Sequence, residues 1–330
     1  MSKRTKRVMV SLFAILVTFA FLPTTYGASS LRITVTTSQE SYNLGGNILV
    51  TGKLLNDSEA VPDGLAAIQV NDPENELFVV RTRPTGASLL DHWSVEILEV
   101  TTTDSAGNPK YSVPRGGEIG FKVIMKNNDL TQHDYRVTLN PYYSDGTPFL
   151  AFTLTGSIDG NQTKTTAVWP LLIPADATTG SATVYANAFN QLPKDGGFAY
   201  CPEKSATFTI TGSTTTQATH PASEEGAFDI TFRTWGYGGT LGTYMVYVNS
   251  LYEMWPVTNT TTFEVILLGD IDGDGFVTIA DVSVTAIAFG SYPGHPRWNP
   301  IVDLDGDGII SISDVSAVAI NFGKWGVVVP

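Results

Sequence analysis

The residues with the clearest chemistry are aspartates. In "DIDGDGFVTIAD", residues 270–281, four of twelve positions are Asp, and Gly275 holds the sixth place. The pattern returns as "DLDGDGIISISD", residues 303–314, at an offset of 33. Counted from Asp270, positions 1, 3, 5, 7, 9 and 12 are Asp270, Asp272, Asp274, Phe276, Thr278 and Asp281. The second loop places Asp303, Asp305, Asp307, Ile309, Ser311 and Asp314 at the same positions. Alternate carboxylates converging on one point, a glycine for the sharp turn, a backbone carbonyl at position 7 and a closing carboxylate at position 12 form the oxygen shell that Ca2+ takes. Without a cation each loop repels itself, so the spacing predicts two bound calcium ions. The competing reading is an acidic, solvated turn, and two full matches at one offset argue for the metal.

A helix must follow each loop to carry position 12. The segments after the loops have apolar residues at i, i+4 and i+7, namely Val282, Ala286 and Phe289, then Val315, Ala319 and Phe322. Those spacings define one helix face, and Gly290 and Gly323 are placed to end the helices. One loop-helix unit cannot bury its stripe alone, so the two are expected to pack face to face.

"DIDGDGFVTIADVSVTAIAFG" and "DLDGDGIISISDVSAVAINFG" together resemble a type I dockerin over residues 269–325. Each repeat has a loop and one helix, and aspartate stands at position 12. The resemblance implies a cohesin-type protein partner, typically within extracellular complexes that degrade polysaccharides. Dockerins of those complexes often carry a Ser-Thr pair at positions 10 and 11, where this chain has Ile279-Ala280 and Ile312-Ser313. The partner's identity therefore does not carry over with the calcium ligands. "TTFEVILLGDIDGDG" runs from a strand straight into the first loop. The module is expected against the edge of the preceding domain, with Leu267 and Leu268 at the contact; the alternative is a short hinge.

From Leu31 to Leu268, period-2 alternation dominates. Ile119, Phe121, Val123 and Met125 share one face of "EIGFKVIMKN", and turn clusters such as "NLGGN", "SAGNP" and "SDGTP" separate the runs. Many short strands of this kind predict Ig-like β-sandwiches. Residues 91–212 read as a complete unit; "WSVEILEV" and "IPADATTGSATVYANAF" resemble Ig-like domains of the CARDB type. Residues 31–90 and 227–268 each hold too few strands to bury a core alone. "SQESYNLGGNILVTGKLL" with "GAFDITF" and "LGTYMVYV" resembles the two halves of macroglobulin-type Ig-like domains of exported prokaryotic proteins. The expectation is a discontinuous first domain interrupted by 91–212, with 213–226 as a return linker. The alternative is three domains in series, the third a fragment. The fold class expected is thus mainly β, two Ig-like sandwiches plus a small helical module, residues 269–330, with tandem calcium loops.

At the N-terminus, Lys3, Arg4, Lys6 and Arg7 precede an apolar run, Val8 to Leu22, and small residues near Ala28. This reads as a secretory signal over 1–28, because the run is shorter than the ~20 residues of a spanning helix. Cleavage leaves no transmembrane anchor and predicts a secreted protein. Asn56, Asn161 and Asn259 head glycosylation sequons that suit export. Cys201 stands alone, which rules out an intramolecular disulfide and reads as a buried, inert thiol.

The net charge of −13 argues against a nucleic-acid partner, which needs a basic face. No H-E-x-x-H, nucleophile elbow or phosphate loop occurs. The histidines, His92, His133, His220 and His295, are scattered, and "GYGGTLG" reads as a turn between strands. Glu96 and Glu99 are expected on opposite strand faces, against joint acid-base work. Trp93, Trp169, Trp235 and Trp255 are expected as core or rim packing; an exposed row would instead suggest a sugar platform. The reading is a non-enzymatic adhesion or scaffold protein that docks a cohesin-like domain or another cell-surface protein. The competing reading is an accessory subunit of a polysaccharide-degrading complex, with glycan bound by a sandwich.

Overall fold

The computed structural model describes residues 30–86, 93–212, 224–236 and 238–329. The predicted leader, most of the predicted linker, His92 and His220 lie outside the described residues, as does the Trp169 side chain. The fold is mainly β. The first segment supplies β1 (Leu31–Thr37), β2 (Ser41–Asn43), β3 (Asn47–Asn56), β4 (Glu59–Ala60), β5 (Leu65–Asn71) and β6 (Leu77–Pro84). Then come β7 (Val95–Thr103), β8 (Ser112–Pro114), β9 (Glu118–Asn127), β10 (His133–Tyr142), β11 (Phe152–Ile158), β12 (Thr163–Leu172), β13 (Gly180–Phe189) and β14 (Lys204–Thr211). The chain closes with β15 (Ala227–Arg233), β16 (Thr240–Tyr252), β17 (Trp255–Ile266), α1 (Ile279–Ala288), α2 (Ile312–Asn321) and β18 (Val327–Val328).

Strand pairing joins the outer segments. β3 lies between β1 and β15, both antiparallel to it, so that Val50 faces Thr37 on one side and Ile230 on the other. The opposing sheet runs β2-β17-β16-β5-β6 and mixes strands of both segments again. Alternate residues of the two sheets, among them Ile48, Val50, Phe228, Ile230, Ile68, Val246 and Phe263, meet in one buried cluster. Each segment has strands in both layers but completes neither sheet, so each leaves apolar surface uncovered until the other arrives. β3 pays for its central position in sequence: Gly52 is the residue over which the Phe228 ring lies. A Cβ there would sit 2.1 Å from the Thr34 carbonyl oxygen and 2.2 Å from that ring. Gly52→Ala is expected to destabilise the chain by about 1–3 kcal/mol or more through overpacking, read as a lower urea midpoint at unchanged slope.

Between β6 and β15 the chain builds a second sandwich. Its sheets are β11-β10-β13-β14-β8 and β12-β9-β7. Inward residues of the two sheets, including Val95, Phe121, Met125, Val137, Val184 and Phe208, form a separate core. Cys201 is buried there, and burial pushes its thiol up to about 12, which keeps it protonated and inert. β7 carries a bulge between Ile97 and Glu99. The expected placement of Glu96 and Glu99 on opposite faces is corrected by it. They oppose Lys126 and Ile124, two residues apart on β9, so both lie on the outer face. One extra residue shifts the alternation by one.

The two sandwiches are locked together along β6, an edge strand. Val80 donates its N–H to Asn140 Oδ1 (3.0 Å) and its carbonyl accepts from Asn187 Nδ2 (3.1 Å). Side-chain amides of the second sandwich thus satisfy backbone groups that an edge would otherwise expose. Asn249 Nδ2 bonds Pro193 O and Gly197 O, and Trp235 Nε1 bonds Pro148 O at 2.7 Å. Glu203 reaches across to Arg81 Nε (2.8 Å), the Thr82 N–H (3.1 Å) and Arg83 Nη1 (3.4 Å). The Arg81 guanidinium lies 3.5 Å from the Tyr185 ring centroid and 5.7 Å from that of Tyr142. Burial alone would raise the Glu203 pKa; the charges of Arg81 and Arg83 and the Thr82 N–H hold it below the usual carboxylate range.

Candidate metal centre

After β17 the chain enters the first aspartate loop without a spacer. Leu267 is buried in the sandwich core, and the Leu268 N–H donates to Asn43 Oδ1 at 2.9 Å. Gly269, at φ +97°, packs its Cα side against Val318 of α2, where a Cβ would come within 3.0 Å of that residue's backbone. The loop then turns through Gly273 (φ 74°) and Gly275 (φ 87°), and the second loop through Gly306 (φ 71°) and Gly308 (φ 84°). These left-handed positions bend the chain so that alternate side chains point to one centre.

Asp270, Asp272 and Asp274 each bring a carboxylate oxygen within 4.8 Å of the others, and Asp303, Asp305 and Asp307 do the same. Such triplets can hold a metal ion, and among the described residues no other group of three or more His, Cys, Asp or Glu does so. Backbone N–H groups hold the carboxylates in place. Gly275 N donates to Asp270 Oδ2 (2.9 Å), Gly273 N to Asp270 Oδ1 (2.8 Å) and Phe276 N to Asp274 Oδ1 (2.9 Å). In the second loop Gly308 N donates to Asp303 Oδ2 (3.0 Å) and Ile309 N to Asp307 Oδ1 (2.8 Å). Asp303 Oδ1 is buried and has no hydrogen-bond partner. A buried carboxylate oxygen without a donor is costly, and a cation between the three carboxylates relieves it. Burial raises the pKa of Asp270, and the charges of Asp274 and Asp281 add to the rise, against the N–H groups of Gly275 and Gly273.

The position-12 residues are not in the triplets. Asp281 and Asp314 are buried at the third position of α1 and α2. Asp281 Oδ1 accepts from Ile271 N (2.7 Å) and Oδ2 from Thr278 N (2.7 Å); Asp314 takes Leu304 N and Ser311 N in the same way, both at 2.7 Å. Burial would raise the Asp281 pKa, but these N–H donors hold it lower than usual. Each carboxylate thus closes a capping box and ties its helix to the head of its loop. A carboxylate has about four lone-pair sites; these two bonds leave capacity for an ion on Asp314, whereas Asp281 also accepts longer bonds from Asp272 N (3.4 Å) and Thr278 Oγ1 (3.3 Å). The position-9 hydroxyls, Thr278 and Ser311, accept from Ala280 N and Ser313 N, both at 3.1 Å, as helix caps. At position 7 the side chains of Phe276 and Ile309 are exposed, which leaves their carbonyls as the groups relevant to a metal.

The helices bury a different face from the expected one. Ala286, Phe289, Ala319 and Phe322 are exposed. The buried residues are Asp281, Thr285 and Ala288 on α1, and Asp314, Val318 and Asn321 on α2. The cause is position 12: its carboxylate must turn back to the loop, so residues four and seven further on turn inward with it. The two repeats are joined instead by position 8. Val277 N donates to Lys324 O (3.0 Å) and its carbonyl accepts from Gly323 N (2.8 Å). Ile310 makes the equivalent pair with Gly290 and Ser291 in the other repeat, so each loop is bonded to the far end of the other helix. Both side chains are fully buried. The β-branched apolar residue at position 8 of each loop was the available sequence signal.

The module sits on the first sandwich. Val277 and Val318 belong to the sandwich's own core cluster, and β18 adds to β16 in parallel. Of the glycine-rich stretch, residues 240–242 open β16, and Gly238 just before it helps seat this module: its N donates to Trp325 O (2.9 Å), and its Cα packs against the Trp325 ring.

Architecture and site define a β-sandwich protein with a pair of acidic, metal-competent loops. No protein-family model and no curated protein matches the chain. Solved structures with some likeness include the Pseudomonas fluorescens alkylpurine DNA glycosylase AlkC bound to DNA with an abasic site analogue, at 12% identity and TM-score 0.28, over 36% of this chain and 31% of that one. The C-terminal domain of wzt aligns at 10% identity and TM-score 0.31, over 37% of this chain and 77% of that one. Bacteroides uniformis beta-glucuronidase 2 aligns at 11% identity and TM-score 0.28, over 52% and 27%. Likeness at this level defines neither fold nor function.

Proposed function

We propose that the chain is a secreted, non-catalytic calcium-binding adhesion or scaffold protein. Two Ig-like sandwiches, the first interrupted by the second, present surfaces, and a dockerin-like C-terminal module docks a partner. The observation that carries this reading is the pair of carboxylate triplets with the orphaned, buried Asp303 Oδ1. The donor set is oxygen only, which suits a hard cation of the calcium type. Asp270, Asp272 and Asp274, with the Phe276 carbonyl, would hold one ion, and Asp303, Asp305 and Asp307, with the Ile309 carbonyl, the other; Thr278, Asp281, Ser311 and Asp314 close each loop from its helix cap. When bound, calcium supplies charge neutralisation, so that the loops no longer repel themselves. The docking face is the outer side of the helices, where Ile279, Ile287, Phe289, Ile312, Ile320 and Phe322 are exposed.

Pull-down with a panel of cohesin domains tests the reading. A cohesin is expected to be retained by the full chain in calcium and released by EGTA. Ile287→Asp with Ile320→Asp is expected to abolish retention while calcium uptake stays at two ions. Uptake without retention of any cohesin removes the docking role and leaves a structural one. A second reading, an accessory glycan-binding subunit, is favoured by one observation: an aromatic-lined cleft between the sandwiches.

A further inference from the structure

A cleft of about 570 Å3 opens where the two sandwiches meet. That volume falls within the roughly 300–1,000 Å3 of small-molecule sites. The first sandwich contributes Asp63 and the tip of the β16–β17 hairpin, with Tyr252 and Glu253; the second contributes Trp93, His133 and Tyr200. The walls are held by the interface already described, so their spacing is set before any ligand arrives.

The chemistry of the lining is asymmetric. Three aromatic side chains offer apolar faces with polar tips. The Tyr200 ring is fixed by its hydroxyl, which donates to Asp134 O at 2.8 Å, and by an edge contact with the His133 ring. His133 is committed to Asp129 through Nε2, at 2.6 Å. Neither Lys nor Arg lines the cleft, whereas Asp63 and Glu253 do. Asp63 interacts with the Tyr252 hydroxyl, which ties that ring to the cleft wall. Such a site disfavours an anion. It suits a ligand that donates hydrogen bonds to carboxylates and lays a C–H face on aromatic rings.

The hairpin extends the surface beyond the cleft. Glu253 and Met254 form its turn with φ of 48° and 68°. Tyr252 and Trp255 are direct cross-strand partners, so both side chains lie on one face of the hairpin. Trp255 is 67% exposed, contrary to the expectation that it packs in a core or rim. Tyr252, on the cleft wall, thus shares a hairpin face with the exposed Trp255.

We infer that this interdomain cleft binds a neutral sugar unit of a glycan chain, with Trp93, Tyr200 and Tyr252 as stacking faces and Asp63 as a hydroxyl acceptor. The inference rests on the glycan-binding reading and names its site. The test uses the full chain, with and without EGTA, and saturation-transfer NMR against cellobiose, xylobiose, maltose and lactose, with glucuronic acid and choline as charged probes. At least one neutral disaccharide is expected to bind, equally in EGTA, and to bind at least tenfold more weakly to Tyr252→Ala and to the shape-conserving Asp63→Asn. Calorimetry supplies the affinities. Binding unchanged in both variants overturns the cleft but leaves a glycan site elsewhere on the sandwiches. No disaccharide binding overturns both the cleft and the glycan reading. Binding of choline alone makes this an ammonium site and overturns the sugar.

Discussion

In excess EGTA the full chain is expected to lose the helical signal of α1 and α2 and to melt at a lower temperature than in calcium. Each helix has only ten residues, short of the ~12–15 at which an isolated helix becomes even marginal. Each is held by its capping box, by seating on the sandwich, and by whatever steadies the acidic loop at its start. With calcium at about 100 times its dissociation constant, linkage adds roughly 2.7 kcal/mol per site. The second loop is expected to show the larger share, because Asp303 Oδ1 has no donor, whereas both oxygens of Asp270 already accept backbone N–H groups. Asp270→Asn and Asp303→Asn keep the side-chain shape and remove the charge. Calorimetry should give two ions for the parent, one for each single variant and none for the double variant. The sheets need not melt with the module, so the loss of helix should precede the main transition. Identical melting curves in calcium and EGTA would sink the calcium reading, whatever the loops look like.

Glu203→Ala is expected to destabilise the chain by about 3–5 kcal/mol. Its carboxylate is the counter-charge for Arg81 and Arg83, and the side chains of Arg81 and Glu203 are only 8% and 10% exposed. Truncation strands Arg81 in a buried site between two tyrosines, and most of the cost is that stranded charge, not the net worth of the pair. Glu203→Gln keeps an acceptor for the Thr82 N–H and should cost less. The pH dependence has a definite sign. The folded pKa of Glu203 is lower than the unfolded one, so its stabilisation is present above the ordinary glutamate value of 4.5 and is lost as pH falls through the depressed folded value. Acidification below 4.5 toward that depressed value should therefore progressively loosen the contact between the sandwiches. Trp235, whose indole N–H crosses that contact to Pro148, is a natural fluorescence reporter. A Glu203→Ala protein that unfolds within about 0.5 kcal/mol of the parent would show that the asparagine contacts along β6 hold the sandwiches without the ion pair.

Much of the local structure was legible in the residues. The alternation of Ile119, Phe121, Val123 and Met125 is the buried face of β9, because a strand has no other way to present every second residue. The glycines at position 6 of each acidic loop adopt positive φ, and Gly290 and Gly323 follow their helices, for equally local reasons. The helix faces were less legible. Apolar spacing favoured Val282 and Phe289, but the reach of Asp281 to Ile271 N rotated the helix by one residue. Likewise the bulge at Glu99 is a cross-strand event that alternation along one strand does not reveal.

Residue type and spacing by themselves determined the strand-rich character of the chain and the convergence of two sets of three carboxylates, since both follow from dihedral preferences and side-chain direction within a few residues. Only the tertiary structure decided that β3 lies against β15, that position 8 of each loop bonds to the opposite helix end, and that a cleft separates the two sandwiches. Those arrangements bring together groups far apart along the chain, and their energy comes from surfaces that exist only after the strands have paired.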